Sequence, residues 1–223
     1  MKKLDVERLK IDARDFARKL SATAIQDLYG VTDGKAVGTY VEQAFHQYLQ
    51  KRHAYAPGNV AHGIDIPELK VDIKVTSIQQ PQSSCPFNSA REKVYGLGYD
   101  LIVFVYEKKD ERRAGVARLN IKHTLFIRAN RTGDYQTTSG LSEIMRRKGN
   151  KDDVIAFLEE RNLPLDEIGR KALAEEILKR LPKLGYLTIS NALQWRLQYG
   201  RAISLAEGNS AEGIENLLPK RIR

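Results

Sequence analysis

The chain has 223 residues, enough to bury a substantial core in one domain, or in one domain with a helical appendage. Hydrophobic residues at 42% and charged residues at 29% describe a soluble globular protein, and no window approaches the length of a membrane span, so no membrane partner is expected. A formal net charge of +9 favours an anionic partner, nucleic acid before membrane surface. The single cysteine, Cys85, excludes an internal disulfide and a multi-cysteine zinc site, and it fits a reducing, cytoplasmic compartment.

Apolar residues Leu4, Leu9, Phe16, Leu20, Ala24 and Leu28 recur at mostly helical spacing. They predict one long helix or two short ones over residues 3–29, ending at Gly30. After an Asp33-Gly34 turn, Val41, Ala44, Phe45, Tyr48 and Leu49 form a stripe that predicts a second helix from near Thr39. Glu42 lies on the edge of its buried face, about 20° from Leu49 and about 60° from Phe45 around the axis. Thr39-Tyr40-Val41-Glu42 also fits a capping box, in which Glu42 would serve only the Thr39 N–H.

Residues 51–62, with Pro57-Gly58-Asn59, read as a connection, and Ile64 to Val75 then reads as a β-hairpin. Ile64, Ile66, Val71, Ile73 and Val75 occupy one face; Asp65, Asp72 and Lys74 occupy the other. If Ile66 pairs with Val71 around a Glu68-Leu69 tip, Asp65 falls opposite Asp72, with Cβ atoms about 4.5–5.5 Å apart. Two carboxylates at that spacing need a proton or a cation between them, and hard oxygen ligands favour magnesium. A magnesium ion beside a lysine suits phosphate chemistry. An ordinary hairpin with a solvated polar face satisfies the same alternation, and in another register Glu68 replaces Asp65.

The next stretch, Ser77 to Pro86, is rich in amides and hydroxyls, and Gln79, Gln80, Gln82, Ser83 and Ser84 are candidate contacts to base edges and phosphates. Asn88 or Ser89 can cap a short helix through Lys93 and Tyr95, with Arg91 a further candidate DNA contact. Asp100 to Tyr106 is a continuous apolar run that predicts a central strand covered on both faces. Lys108 to Arg113 reads as a hairpin tip, and Ala114 to Ile127 as a strand or a pair. Arg128 to Ser139 reads as a loop in which Arg128, Asn130, Arg131, Tyr135, Gln136 and Thr137 suit phosphate and base contacts.

From Leu141 the pattern becomes helical, with segments near 141–148, 151–161, 166–181 and 188–206. The last, anchored by Trp195 and carrying Arg196 and Gln198, fits either a major-groove helix or a packing helix. Lys220-Arg221-Ile222-Arg223 reads as a frayed basic end. The expected organisation is a core over 1–140 and a helical region over 141–223 for DNA binding or dimerisation, either separate or part of the same domain.

The order of a helix with Glu42, then Gly63-Ile64-Asp65, then Val71-Asp72-Ile73-Lys74-Val75-Thr76-Ser77, a helix and a buried strand resembles the PD-(D/E)XK nuclease superfamily. The resemblance covers roughly residues 38–106; Ile64 stands where the family has proline. It implies an α/β fold, a restriction-endonuclease-like core with a central mixed β-sheet flanked by helices, plus the C-terminal helical region. It further implies Mg2+ held by Asp65 and Asp72 with help from Glu42, while Lys74 orients the attacking water or stabilises the transition state. The chain looks most like a type II restriction endonuclease, a homodimer cutting double-stranded DNA at a short sequence. A structure-selective repair or junction nuclease shares this core, and a non-catalytic DNA-binding regulator using the C-terminal helices is the alternative outside the enzymes.

Overall fold

The computed structural model describes residues 2–55, 63–86, 88–190, 195–208 and 211–218. The expected Pro57-Gly58-Asn59 turn and the basic end Lys220–Arg223 lie outside the described residues. The chain divides into two compact units, neither of which is one consecutive piece. The first comprises 1–83, 100–127 and 203–223; the second comprises 84–99 and 128–202.

The first unit is a mixed four-stranded sheet packed against two helices. Its strands are β3 (Val71–Ser77), β5 (Asp100–Glu111), β6 (Val116–Ile127) and β9 (Ile214–Asn216), in the order β3-β5-β6-β9. β3 runs parallel to β5, and the other two pairs are antiparallel. As the apolar run predicts, Leu101 to Tyr106 are all buried, because β5 has a strand on each side and cover above and below. The charged stretch expected as a hairpin tip does not turn at Lys108: Lys108 to Glu111 continue the ladder opposite Leu119 to Val116, and the reversal follows over residues 112–115. Of the strand or pair expected over 114–127, the single strand forms, as β6.

Helix α1 (Val6–Ala22) starts at Asp5, whose carboxylate accepts from the Arg8 N–H, and buries Leu9, Ala13, Phe16, Ala17 and Leu20. Helix α2 (Gly34–Gln50) buries Val37, Val41, Phe45 and Leu49, one residue per turn. It begins five residues before the expected start, because Asp33 accepts from the Lys35 and Ala36 N–H groups and caps it there. Thr39 is therefore interior to the helix, and Glu42 has no capping box to serve. Phe16, Phe45 and Phe104 meet edge-on or tilted with ring centroids 5.0–5.6 Å apart, joining both helices to the sheet. A short parallel pair, β1 (Lys2–Lys3) with β2 (His53–Ala54), completes this unit. His53 Nε2 lies 2.6 Å from Asp12 Oδ2, which gives these two buried polar groups a partner in each other.

The second unit contains α3 (Arg91–Tyr95), α4 (Tyr135–Arg146), α5 (Lys151–Glu160) and α6 (Glu167–Lys179) around Val94, Leu141, Val154, Leu158, Leu173 and Ile177. The region 128–139, expected as an open loop, is not one: Asp134 accepts from the Thr137 N–H and hydroxyl, so a helix starts at Tyr135. Nor is the segment 188–206 one helix. Thr188–Ser190 (β7) pairs antiparallel with Trp195–Gln198 (β8), and a short α7 (Gly200–Glu207) follows; residues 191–194 lie outside the described residues. Trp195, Leu197 and Tyr199 are buried while Arg196 and Gln198 are exposed, a period of two that belongs to a strand. These strands form a three-stranded sheet with β4 (Gln82–Cys85), in the order β4-β8-β7.

Candidate active site

The residues expected to form a catalytic centre all lie in the first unit, on α2, on β3 and on the turn that enters β3. Ile66 does pair with Val71, as a single antiparallel bridge. It does not propagate into a hairpin, because Pro67–Leu69 form a 3-10 turn and Lys70 takes a left-handed conformation at φ 52°. Asp65 consequently stands outside any ladder. Its Oδ2 accepts from the Ile73 N–H at 2.7 Å, so the carboxylate caps the free edge of β3 where a partner strand would have bonded.

Asp72 is 2% exposed, and the Lys74 Nζ lies 2.5 Å from its Oδ2. Burial pushes the Asp72 carboxyl up to about 7; the Lys74 ammonium opposes that rise, and the neighbouring Asp65 adds to it. Asp65 and Asp72 are thus close enough to interact, as two aspartates meeting at β3 were expected to be, although the contact is made by a carboxylate folded over a strand edge and not across a ladder. Glu68 is exposed on the turn, in the 3-10 segment.

Glu42 lies one residue past Val41, on the flank of the buried stripe of α2. One turn later comes His46, a residue absent from the sequence-based set. Glu42, His46 and Asp65 each bring one ligand atom within 4.8 Å of one another, and all three are half-buried. The i,i+4 spacing of Glu42 and His46 on an amphipathic helix was the signal available for His46. Its Nδ1 is 2.6 Å from the Tyr55 hydroxyl, and burial holds its pKa below the usual histidine value. Two carboxylates with a nitrogen donor at this separation, beside a buried aspartate and a lysine, fit a divalent cation.

The raised Asp72 pKa has a consequence for stability in metal-free protein. The folded state retains a proton that an unfolded aspartate sheds at about pH 4, so this contribution is fully present below about pH 4 and is lost as the pH rises through about 7. Urea melts between about pH 4 and about pH 7 are expected to show the Asp72→Asn variant gaining stability relative to wild type as the pH rises, because it lacks this one falling contribution. An identical pH dependence in both proteins would contradict the burial of this charge.

The candidate DNA contacts divide by exposure. Gln79 and Gln80 are exposed, and Gln82 and Ser83 are partly so. The turn holding them is pinned by Thr76, whose hydroxyl accepts from the Gln82 N–H and has the Gln80 and Gln82 carbonyls within reach of its proton. In the second unit Ser84, Arg128, Asn130 and Gln136 are exposed, and Tyr135 lies under the Arg201 guanidinium, 3.3 Å from its ring centroid. Gln136 nevertheless accepts from Arg161 at its Oε1, and three others are committed internally. Arg91 forms a two-pronged ion pair with Glu176, and buried Arg131 donates to the Leu184 carbonyl and stacks on Tyr186. Thr137 is buried against Asp134.

A mixed sheet whose edge strand carries Asp-Ile-Lys, backed by a helix that contributes a glutamate, is the arrangement of a PD-(D/E)XK-like nuclease of the type II restriction class. Within that class, the family model described as type II restriction enzyme NspV matches residues 3–216, and the chain belongs to that family. A curated relative, the type II restriction enzyme NspV of Nostoc sp., is 56% identical over 203 residues, covering 91% of this chain and 92% of the relative. No solved structure matches the chain. Among the described residues no helix is long and apolar enough to cross a membrane.

Proposed function

We propose that this chain is a Mg2+-dependent endodeoxyribonuclease that recognises a short sequence in double-stranded DNA and hydrolyses both strands at it. The observation that carries this reading is the convergence on one edge of β3 of a buried aspartate, its lysine and the Asp65 carboxylate, with Glu42 alongside Asp65. Asp65 and Asp72 hold the cation, with Glu42 binding it directly or through water. When bound, the ion polarises a phosphoryl oxygen and lowers the pKa of a water molecule. Lys74 orients the attacking water and offsets the negative charge that develops on the phosphate. Its own position is held by Asp72, which keeps the ammonium at the strand edge.

A net charge of +9 supports attraction to a polyanion before any base is read. Gln79, Gln80, Gln82 and Ser83 follow directly on the catalytic strand, and their amides and hydroxyl suit base edges. Ser84, Arg128, Asn130 and Tyr135 supply further contacts from the second unit. Arg91, Arg131, Gln136 and Thr137 do not enter this set, because side-chain polar groups of each already have internal partners. Each chain carries one such centre, whereas a duplex has two strands; a symmetric homodimer in the cytoplasm provides one centre per strand.

The test is a digest of mapped duplex DNA with Mg2+ and again with chelator. Discrete fragments that require Mg2+ are expected. Cleavage confined to branched DNA points instead to a junction nuclease, and binding without cleavage to a regulator.

A further inference from the structure

We infer that His46 is a nitrogen ligand of the divalent ion and that Tyr55 is the positioning residue that directs its ring. This rests on the preceding reading that Glu42 and Asp65 belong to a metal centre, and it adds a donor of a different chemical kind. His46 is on the same side of α2 as Glu42, one turn on, and a ring nitrogen lies within 4.8 Å of both the Glu42 and Asp65 ligand atoms.

Tyr55 fixes the His46 ring. Its hydroxyl lies 2.6 Å from His46 Nδ1 and 3.4 Å from the Asp65 backbone carbonyl. With Nδ1 engaged by Tyr55, Nε2 is the ring nitrogen left to ligate, and it carries the lone pair in the tautomer whose Nδ1–H donates to the phenol oxygen. The two rings are parallel, with 10° between their planes and centroids 6.0 Å apart, which restricts rotation of the imidazole. Metal-bound histidines are oriented in this way, by a hydrogen bond on the nitrogen that does not ligate. Tyr55 thereby touches two members of the group, the His46 ring and the backbone of Asp65.

Carboxylates and water suit magnesium and manganese alike, whereas an imidazole nitrogen is a donor that transition ions accept more readily than magnesium does. With His46 in the set, loss of that one side chain weakens Mn2+ binding more than Mg2+ binding.

The experiment is Mn2+ binding to the full-length protein without DNA, by titration calorimetry, combined with pulsed electron paramagnetic resonance of the bound ion. Wild-type protein is expected to show a histidine nitrogen coupled to Mn2+. In His46→Gln the coupling disappears and Mn2+ affinity falls more than Mg2+ affinity does. Tyr55→Phe retains the coupling and weakens Mn2+ binding by about tenfold to hundredfold, the cost of losing the partner that orients a ligating histidine. Bound Mn2+ without nitrogen coupling in wild type, or coupling that persists in a folded His46→Gln, overturns the inference while leaving the carboxylate centre standing. If wild type binds no Mn2+, or if Asp65→Ala binds it as well as wild type does, the underlying metal reading fails and this inference with it. The wild-type signal alone decides the point if His46→Gln does not fold.

Discussion

Lys74→Ala is expected to lower DNA cleavage by about 10²–10³-fold while leaving the fold intact. Two effects act together. In the proposed mechanism the substitution removes the ammonium that meets charge developing on the phosphate, and it strips Asp72 of its cation. Asp72 is buried, and its carboxyl already titrates at about 7 with Lys74 2.5 Å away. Without that partner the charged form is still less favourable, so the site also becomes a poorer metal ligand at neutral pH. Asp72→Ala is expected to be equally inactive by loss of the carboxylate itself. Single-turnover cleavage of a mapped duplex measures both variants, and circular dichroism checks that they are folded. Near-normal turnover by either would remove Asp72 and Lys74 from the chemistry.

The largest effect on stability is expected at Phe104→Ala, about 3–5 kcal/mol by urea denaturation. Phe104 is fully buried in the middle of β5, and its ring is 5.6 Å from Phe16 of α1 and 5.2 Å from Phe45 of α2. Truncation leaves a cavity where both helices meet the sheet, and aromatic contacts are lost in addition to buried area. Because α2 also carries Glu42 and His46, the same variant is expected to loosen the candidate metal centre and weaken Mn2+ binding. A loss of stability below about 1 kcal/mol would contradict the central position of this ring.

Several elements are legible in the sequence because a single local rule governs them. The run Leu101 to Val105 reads as a strand covered on both faces, and it is one. The recurrence of Val41, Phe45 and Leu49 specifies α2 and its buried face. Where a second local signal competes, the expectation fails at the boundary. Thr39 looks like a cap, but Asp33 caps the helix first, and this frees Glu42 from a purely structural duty. Asp134 likewise converts Tyr135 to Ser139 from apparent loop into helix. In the 188–206 segment helical spacing does not decide the outcome: Ile189 and Leu197 pair with each other across two strands, and buried Trp195, Leu197 and Tyr199 alternate with exposed neighbours.

The basic character of the protein, the buried strand, the amphipathic helix and the Asp72-Lys74 pair are all readable along the chain, because composition and periodicity are properties of contiguous residues. Which side chains join that pair is a matter of tertiary packing. Asp65 reaches the edge of β3 through its own carboxylate, because Pro67 and the left-handed Lys70 end the hairpin after one bridge. His46 Nδ1 meets the hydroxyl of Tyr55, which the chain's path beyond α2 brings back against the helix. Such contacts depend on how a turn closes and how a helix face is rotated against a sheet edge, and neither is encoded in the spacing of residues along the chain.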